Sequence, residues 1–96
     1  MSEIKFGNNE FYIEESGEVI ARIQFIPSGT DVSGRDLIIV NHTVVYPGHN
    51  GKGLGKKLVD RLAEYARNEK KYIIPVCPYA KNVLESSVKY KDVMAN

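Results

Sequence analysis

Val44-Val45-Tyr46-Pro47-Gly48-His49-Asn50-Gly51-Lys52-Gly53-Leu54-Gly55-Lys56-Lys57-Leu58 is the stretch from which the rest of the chain can be read. An apolar, β-branched run stops at Pro47-Gly48. A loop with glycines at every second position follows, and an amphipathic run then opens with two lysines. Strand, glycine loop and helix start, in that order, build an anion site. The first N–H groups of a helix have no carbonyl partner inside it, and the aligned peptide dipoles leave partial positive charge there. Glycines let the backbone approach a phosphate with no Cβ between them. Lys52, Lys56 and Lys57 bring full charges to the same place. The stretch reads as a cradle for a pyrophosphate.

Spacing narrows the ligand. A Walker loop needs Gly, four residues, then Gly-Lys-Ser/Thr; counting back from Gly55-Lys56 puts Asn50 at the first glycine, and Lys57 stands where the hydroxyl should be. The dinucleotide fingerprint needs Gly-x-Gly-x-x-Gly, whereas Gly51, Gly53 and Gly55 are evenly spaced. Asn50-x-x-Gly53-x-Gly55 instead resembles the acetyl-CoA loop of the GNAT acetyltransferase superfamily, Gln/Arg-x-x-Gly-x-Gly/Ala. The resemblance extends to a small GNAT-like family with His-Thr-x-Val before the loop and Pro-x-Cys-Pro after the helix, here His42-Thr43-Val44-Val45 and Pro75-Val76-Cys77-Pro78. It covers the chain from its middle onward. Asn50 departs from the pattern, with a shorter reach than Gln or Arg.

The 96 residues suit one domain, spanning 1–96, with a modest core. At 43% hydrophobic and 26% charged, the composition is that of a soluble globule. No segment has the apolar length to span a bilayer, and Met1-Ser2-Glu3-Ile4-Lys5 does not read as a signal peptide. The single cysteine, Cys77, has no internal disulfide partner, which points to a reducing, cytoplasmic setting. The net charge of +1 conceals an asymmetry. Residues 1–48 carry three Lys/Arg against seven Asp/Glu, or −4; residues 49–96 carry ten against five, or +5. The half with the glycine loop is the basic half, as an anionic cofactor requires. Nucleic acid is not expected as a partner, since the pI is far below the usual footprint and no aromatic series accompanies the basic residues. A monomer or weak dimer is expected.

In chain order, Ile4 and Phe6 start a strand, Gly7-Asn8-Asn9 turns it, and Phe11, Ile13 and Glu15 alternate with Tyr12 and Glu14. Ser16-Gly17-Glu18 turns the chain into a strand over 19–26, with Ala21, Ile23 and Phe25 on one face, completing an antiparallel hairpin. Residues 27–34 read as a loop, and 35–46 as an interior strand covered on both faces, because Leu37-Ile38-Ile39-Val40 is continuously apolar. Leu54, Leu58, Leu62 and Tyr65-Ala66 predict a helix over 54–67. Residues 72–77 form a buried strand, parallel to the earlier one by a right-handed crossover. Pro78 opens a last helix over 79–90 with Val83, Leu84 and Val88 inward, and the tail is expected to fray. The fold class is α/β: a truncated GNAT-like fold, a mixed and mostly antiparallel sheet with one parallel pair, and two helices. Relative to the superfamily, the resemblance implies that two helices after the first strand and a final hairpin are missing. These usually build the acceptor pocket.

The resemblance implies acetyl-CoA as cofactor and transfer of its acetyl group to an unidentified, amine-type acceptor. A backbone N–H near Val44, Val45 and Tyr46 would hold the thioester carbonyl. The pyrophosphate would be bound by Asn50, Gly51, Lys52, Gly53, Leu54, Gly55, Lys56 and Lys57, with Pro78 and Tyr79 beside the pantetheine. Two residues are candidates for the chemistry. Cys77 is a nucleophile or a small buried core residue; a free thiol has a pKa of roughly 8.5, and the amides of Tyr79 and Ala80 are placed to lower it. His42 is a general base or a core histidine satisfied by a backbone carbonyl. His49 is expected to be solvated or next to phosphate. Tyr79 and Tyr90 are general-acid candidates or packing residues. No metal site is expected, because His42, His49 and Cys77 lack ligand spacing. The competing reading is a non-catalytic module that binds CoA, acyl-CoA or a partner protein.

Overall fold

Alternating apolar residues in the first half of the chain make a meander of hairpins, and the glycine-loop helix then carries the chain across to a parallel strand. In the computed structural model, which describes residues 3–95, strands β1 (Glu3–Gly7), β2 (Glu10–Glu15), β3 (Glu18–Thr30), β4 (Asp36–Val45) and β5 (Lys71–Pro75) lie in one sheet in sequential order. The first three pairings are antiparallel and β4–β5 is parallel. Helices α1 (Leu54–Asn68) and α2 (Pro78–Glu85) and a 3-10 helix (Val88–Val93) complete the fold. This is the α/β class the sequence implies. Among the described residues, no helix is long and apolar enough to cross a membrane.

The β2–β3 turn is Ser16-Gly17, with φ of 52° and 79°, the paired left-handed geometry of a tight hairpin. Directly opposed residues share a face, so Phe11, Ile23 and Thr43 form one cross-strand row, and Ile13, Ala21 and Val45 the next. Helix α1 covers this side with Leu58, Val59, Leu62 and Ala66, each at most 1% exposed. Fully burying a leucine contributes about 1.5–3 kcal/mol, so Leu58 and Leu62 alone fix the helix firmly to the sheet. Tyr65 closes the core's edge among the rings of Phe6, Phe11 and Phe25, with centroids 5.5–5.6 Å away.

Several boundaries differ from expectation. β3 continues through Pro27 to Thr30, because the hairpin is closed further on by Asp31, whose Oδ1 accepts from the amides of Ser33 and Arg35 at 2.9 and 3.0 Å. β4 is interior, between β3 and β5, but it is not buried on both sides: Ile38 and Val40 are core, Leu37 and Ile39 are half-buried, and His42 is exposed. β5 stops at Pro75 rather than reaching Cys77. The last helix breaks at Ser86-Ser87, where the Ser86 hydroxyl donates to the Val83 carbonyl at 2.6 Å and Ser87 turns extended to cap the 3-10 helix. The break turns Val88 outward, 82% exposed instead of inward. The tail is tied down as far as Ala95, whose amide donates to the Ile73 carbonyl at 3.0 Å; Asn96 lies outside the described residues.

Candidate functional site

The parallel pairing of β4 and β5 runs from Asp36↔Lys71 to Val40↔Pro75 and ends there. Beyond it, one acceptor, the Val40 carbonyl, receives both Val76 and Cys77 amides at 3.0 Å, and the two chains separate. Pro75 has no N–H to continue the ladder. The β4 segment past this point still pairs with β3: the Tyr46 amide donates to the Ile20 carbonyl at 2.9 Å. In a strand the backbone polar groups alternate sides, so the Val45 and Thr43 amides turn toward the opening that β5 has left. Of the expected 44–46 stretch, Val45 therefore presents the N–H that faces the cleft.

Below the cleft the loop has the geometry its glycines allow. Gly51 and Gly53 sit at φ of 83° and 72°, left-handed positions where an L-residue is strained, and nothing lies within 4 Å of a Cβ at either. Gly53 caps α1 without a side-chain bond, and the first intrahelical bond runs from the Lys57 amide to the Gly53 carbonyl at 3.1 Å. The amides of Leu54, Gly55 and Lys56 are left without a carbonyl in the helix. Asn50, Lys52, Lys56 and Lys57 are exposed around them. Lys52 Nζ lies 3.3 Å from His49 Nδ1, so the half-buried His49 is held to the loop's own lysine. These residues fit a pyrophosphate: orphan donors, full charges, and open space where a Cβ would intrude.

Gly55 has a different role from its neighbours. Its φ is ordinary, but a Cβ there would meet the Tyr79 hydroxyl at 2.6 Å. The Tyr79 ring thus packs on the start of α1, joining the Pro78-Tyr79 turn to the phosphate loop. Cys77 sits between these parts, 9% exposed, with its Sγ 3.6 Å from Thr43 Oγ1. Burial pushes its thiol up, but the amides of Ala80 and Tyr79 and the hydroxyl and amide of Thr43 outweigh burial, and the net shift is below the ordinary thiol value. Thr43 is the contact that sequence reading missed: alternation from Ile38 and Val40 alone would place it on the open face, and the bulge at Asn41 turns it toward Cys77.

His42 is not a core histidine. A register shift at Gln24/Phe25 leaves Asn41 as the bulged residue of β4, and His42 comes out opposite Gln24 on the face away from α1. Its side chain is exposed and makes no hydrogen bond or ion pair among the described residues. Tyr90 is not placed for catalysis: it is 2% exposed, its hydroxyl bonds Asp60 on α1, and burial with that carboxylate pushes it up to about 12. On the open face, Glu10 Oε1 accepts from Arg22 Nη1 at 3.3 Å and Gln24 Nε2 at 3.4 Å. Arg22 Nε is buried without a partner among the described residues, and its guanidinium lies 6.0 Å from the Tyr46 ring centroid. A concavity of about 340 Å³ lies beside the loop, lined by Glu18, Val19, Arg22, Tyr46, Pro47 and His49. The larger groove, about 880 Å³, includes Arg35, Tyr72, Leu84 and Met94 in its lining, at the opposite end of β4 and β5, and holds none of the site residues.

No curated protein matches the chain significantly. Among solved structures, a GCN5-like protein of Staphylococcus aureus is similar at 36% identity and TM-score 0.73, over 98% of this chain and 88% of that one. Glucosamine-6-phosphate N-acetyltransferase of Arabidopsis thaliana shares the fold at 24% identity and TM-score 0.68, over 91% of this chain and 59% of its own. An acetyltransferase of Clostridium acetobutylicum solved with acetyl-CoA does so at 22% identity and TM-score 0.60, over 79% and 53%. The chain thus spans little more than half the length of these two enzymes. The sequence profile of GCN5-related N-acetyl-transferases matches residues 10–93, and the chain belongs to that family.

Proposed function

We propose that residues 1–96 act as one GNAT-like acetyltransferase domain that binds acetyl-CoA and moves its acetyl group to an amine. The observation that carries this reading is the orphan N-terminus of α1 at the foot of the opening between β4 and β5, flanked by left-handed Gly51 and Gly53. The amides at residues 53–56, with Lys52, Lys56 and Lys57, hold the pyrophosphate, and Asn50 adds a short side-chain contact. The Val45 amide is turned to bind the thioester carbonyl. Acetyl-CoA supplies an activated acetyl group. On this reading His42, on the open face of β4, takes the proton the attacking amine loses. Cys77 lines the other wall, and its lowered thiol value allows a nucleophilic role beside a packing one. A cytoplasmic monomer or weak dimer, with no nucleic-acid partner, is part of the same reading.

A non-catalytic CoA-binding or protein-interaction module is the second reading, favoured by the short span of the chain against the larger enzymes. Calorimetric titration with acetyl-CoA, followed by incubation with cell extract and mass spectrometry of the products, tests both. Binding with acetylated products supports the enzyme, binding without them supports the module, and no binding overturns both.

A further inference from the structure

The two edges of the sheet are treated differently by the chain. Beyond β5, Met94 bridges to Ile73 in parallel and the Ala95 amide donates to the Ile73 carbonyl at 3.0 Å, so that edge is covered. β1 has no described strand on its outer side. The two-residue turn Asn8-Asn9 closes on Gly7↔Glu10, which is a hydrogen-bonded pair. Bonded and non-bonded pairs alternate along an antiparallel ladder. Lys5↔Tyr12 and Glu3↔Glu14 are therefore bonded across to β2, and the N–H and C=O groups of Ile4 and Phe6 point outward. β1 has neither the proline nor the bulge that commonly blocks an exposed edge. Its side chains form two sets. Ile4 and Phe6 lie on the α1 side, where Phe6 is 58% exposed beside the rings of Phe11 and Tyr65, and Arg61 lies over Phe11 at 4.8 Å. Aromatic residues and arginine at a solvent boundary are the composition of protein interfaces. On the other side, Glu3 and Lys5 carry opposite charges and flank Ile4.

We propose that the β1 edge is an interface between two copies of this chain, paired antiparallel about a two-fold axis at Ile4. The proposal does not depend on what the glycine loop binds. Charge complementarity selects both the occupant and the register. A two-fold axis at Ile4 sets Glu3 of each copy directly opposite the partner's Lys5, giving two opposite-charge pairs; an axis at Lys5 would oppose two lysines instead. Such a pattern is complementary to itself, which is what an isologous contact requires. Lys5 Nζ bonds Glu14 Oε1 at 2.8 Å, and an ammonium has three donors, so it can hold the partner's Glu3 without releasing Glu14. At the axis the two Ile4 residues exchange both of their outward backbone bonds. Each Phe6 is then diagonal to the partner's Ile4, about 7–8 Å away and within reach of an aromatic ring. Because the axis is perpendicular to the sheet, both α1 helices stay on one side and the sheet runs on through both copies. One short strand per copy is a small contact, so the dimer is a weak, exchanging one, with a Kd of about 10⁻⁵–10⁻³ M.

Sedimentation velocity of the full chain, over a range of concentrations that spans this Kd, reads the association. Amide hydrogen exchange locates it: the outward Ile4 amide is expected to slow as concentration rises, while the Lys5 amide, already bonded to β2, does not change. Glu3→Lys and Lys5→Glu are each expected to weaken dimerisation by about tenfold or more, since two opposite-charge contacts become two like-charge ones. Mixing the two variants restores both opposite-charge pairs, so a heterodimer is expected where neither variant pairs with itself. Ile4→Pro removes the outward N–H at the axis without touching the bonds to β2, and is expected to abolish the dimer; the charge variants, at exposed or half-buried positions, decide the matter if this one fails to fold. Glu69→Lys, at the end of α1, is expected to change nothing. A monomer at every concentration overturns the proposal. So does a dimer that survives Ile4→Pro and both charge reversals, or a mixture of the two charge variants that stays monomeric.

Discussion

Replacing Gly53 by Asp perturbs the phosphate cradle with little else to confuse the result. The residue sits at φ 72°, ψ 20°, and a Cβ there meets no heavy atom within 4 Å, so the ligand-free fold incurs only backbone strain. That strain is about 1–2 kcal/mol for an L-residue, and Asp is among the types that tolerate the left-handed region best. A carboxylate at a helix N-terminus returns about 0.3–1 kcal/mol. The two partly cancel, leaving about 0–1.7 kcal/mol, so the melting temperature is expected to fall by no more than about ten degrees, since 1 kcal/mol corresponds to about 4–8 °C in a domain of this size. With CoA the balance differs. A carboxylate about 6 Å from a phosphate charge costs roughly 0.7–2.8 kcal/mol at an effective dielectric constant between about 80 and 20. The expected loss of CoA affinity is therefore about threefold to a hundredfold, at about 1.4 kcal/mol per tenfold. Calorimetric titration with CoA measures it, and Gly53→Ala, which carries strain without charge, is expected to lose less. Unchanged CoA affinity in a folded Gly53→Asp protein refutes the cradle.

His42→Ala is expected to lower acetyl transfer by about 10²-fold or more, the usual contribution of a general base, while CoA affinity and melting temperature hold because the side chain is exposed and unpartnered; loss of folding would show a structural histidine. Cys77 is expected to react with iodoacetamide with a midpoint below that of an ordinary thiol, and Thr43→Val, which removes one of the lowering groups, should move that midpoint up. An acetyl adduct on the intact protein after mixing with acetyl-CoA, absent in Cys77→Ala, supports a covalent route; no adduct together with wild-type transfer by Cys77→Ala restricts the cysteine to lining the cleft. Tyr90→Phe is expected to destabilise the fold by about 1–3 kcal/mol, through loss of a buried hydrogen bond to a carboxylate. Because the folded-state value is raised to about 12 from about 10, the Tyr90 contribution is complete below about pH 10 and is lost as pH climbs toward 12. Chemical denaturation across that range should show a shallower alkaline loss in Tyr90→Phe than in wild type.

The sheet, the crossover and the loop were legible because each rests on local chemistry. Phe11, Ile13, Ala21, Ile23 and Phe25 repeat every second residue, Leu54, Leu58 and Leu62 every fourth, and glycines mark where the backbone must turn left-handed. These patterns determine strand, helix and loop with little help from distant residues, and they locate the glycine loop and helix start on which the proposed cofactor site rests. The tertiary structure decided the rest. The apolar run at Leu37-Ile38-Ile39-Val40 looks like a strand buried on both faces, yet only α1 tells which face is core. The bulge at Asn41, set by pairing with β3, determines that His42 faces out while Thr43 faces Cys77. Gly55 reads like its neighbours in sequence, but its reason is the Tyr79 ring from a segment beyond the next strand. The polar row of Glu10, Gln24 and His42 exists only through register, because residues far apart in the chain share a face only after the strands have paired, and a single-residue slip would send each to the other side.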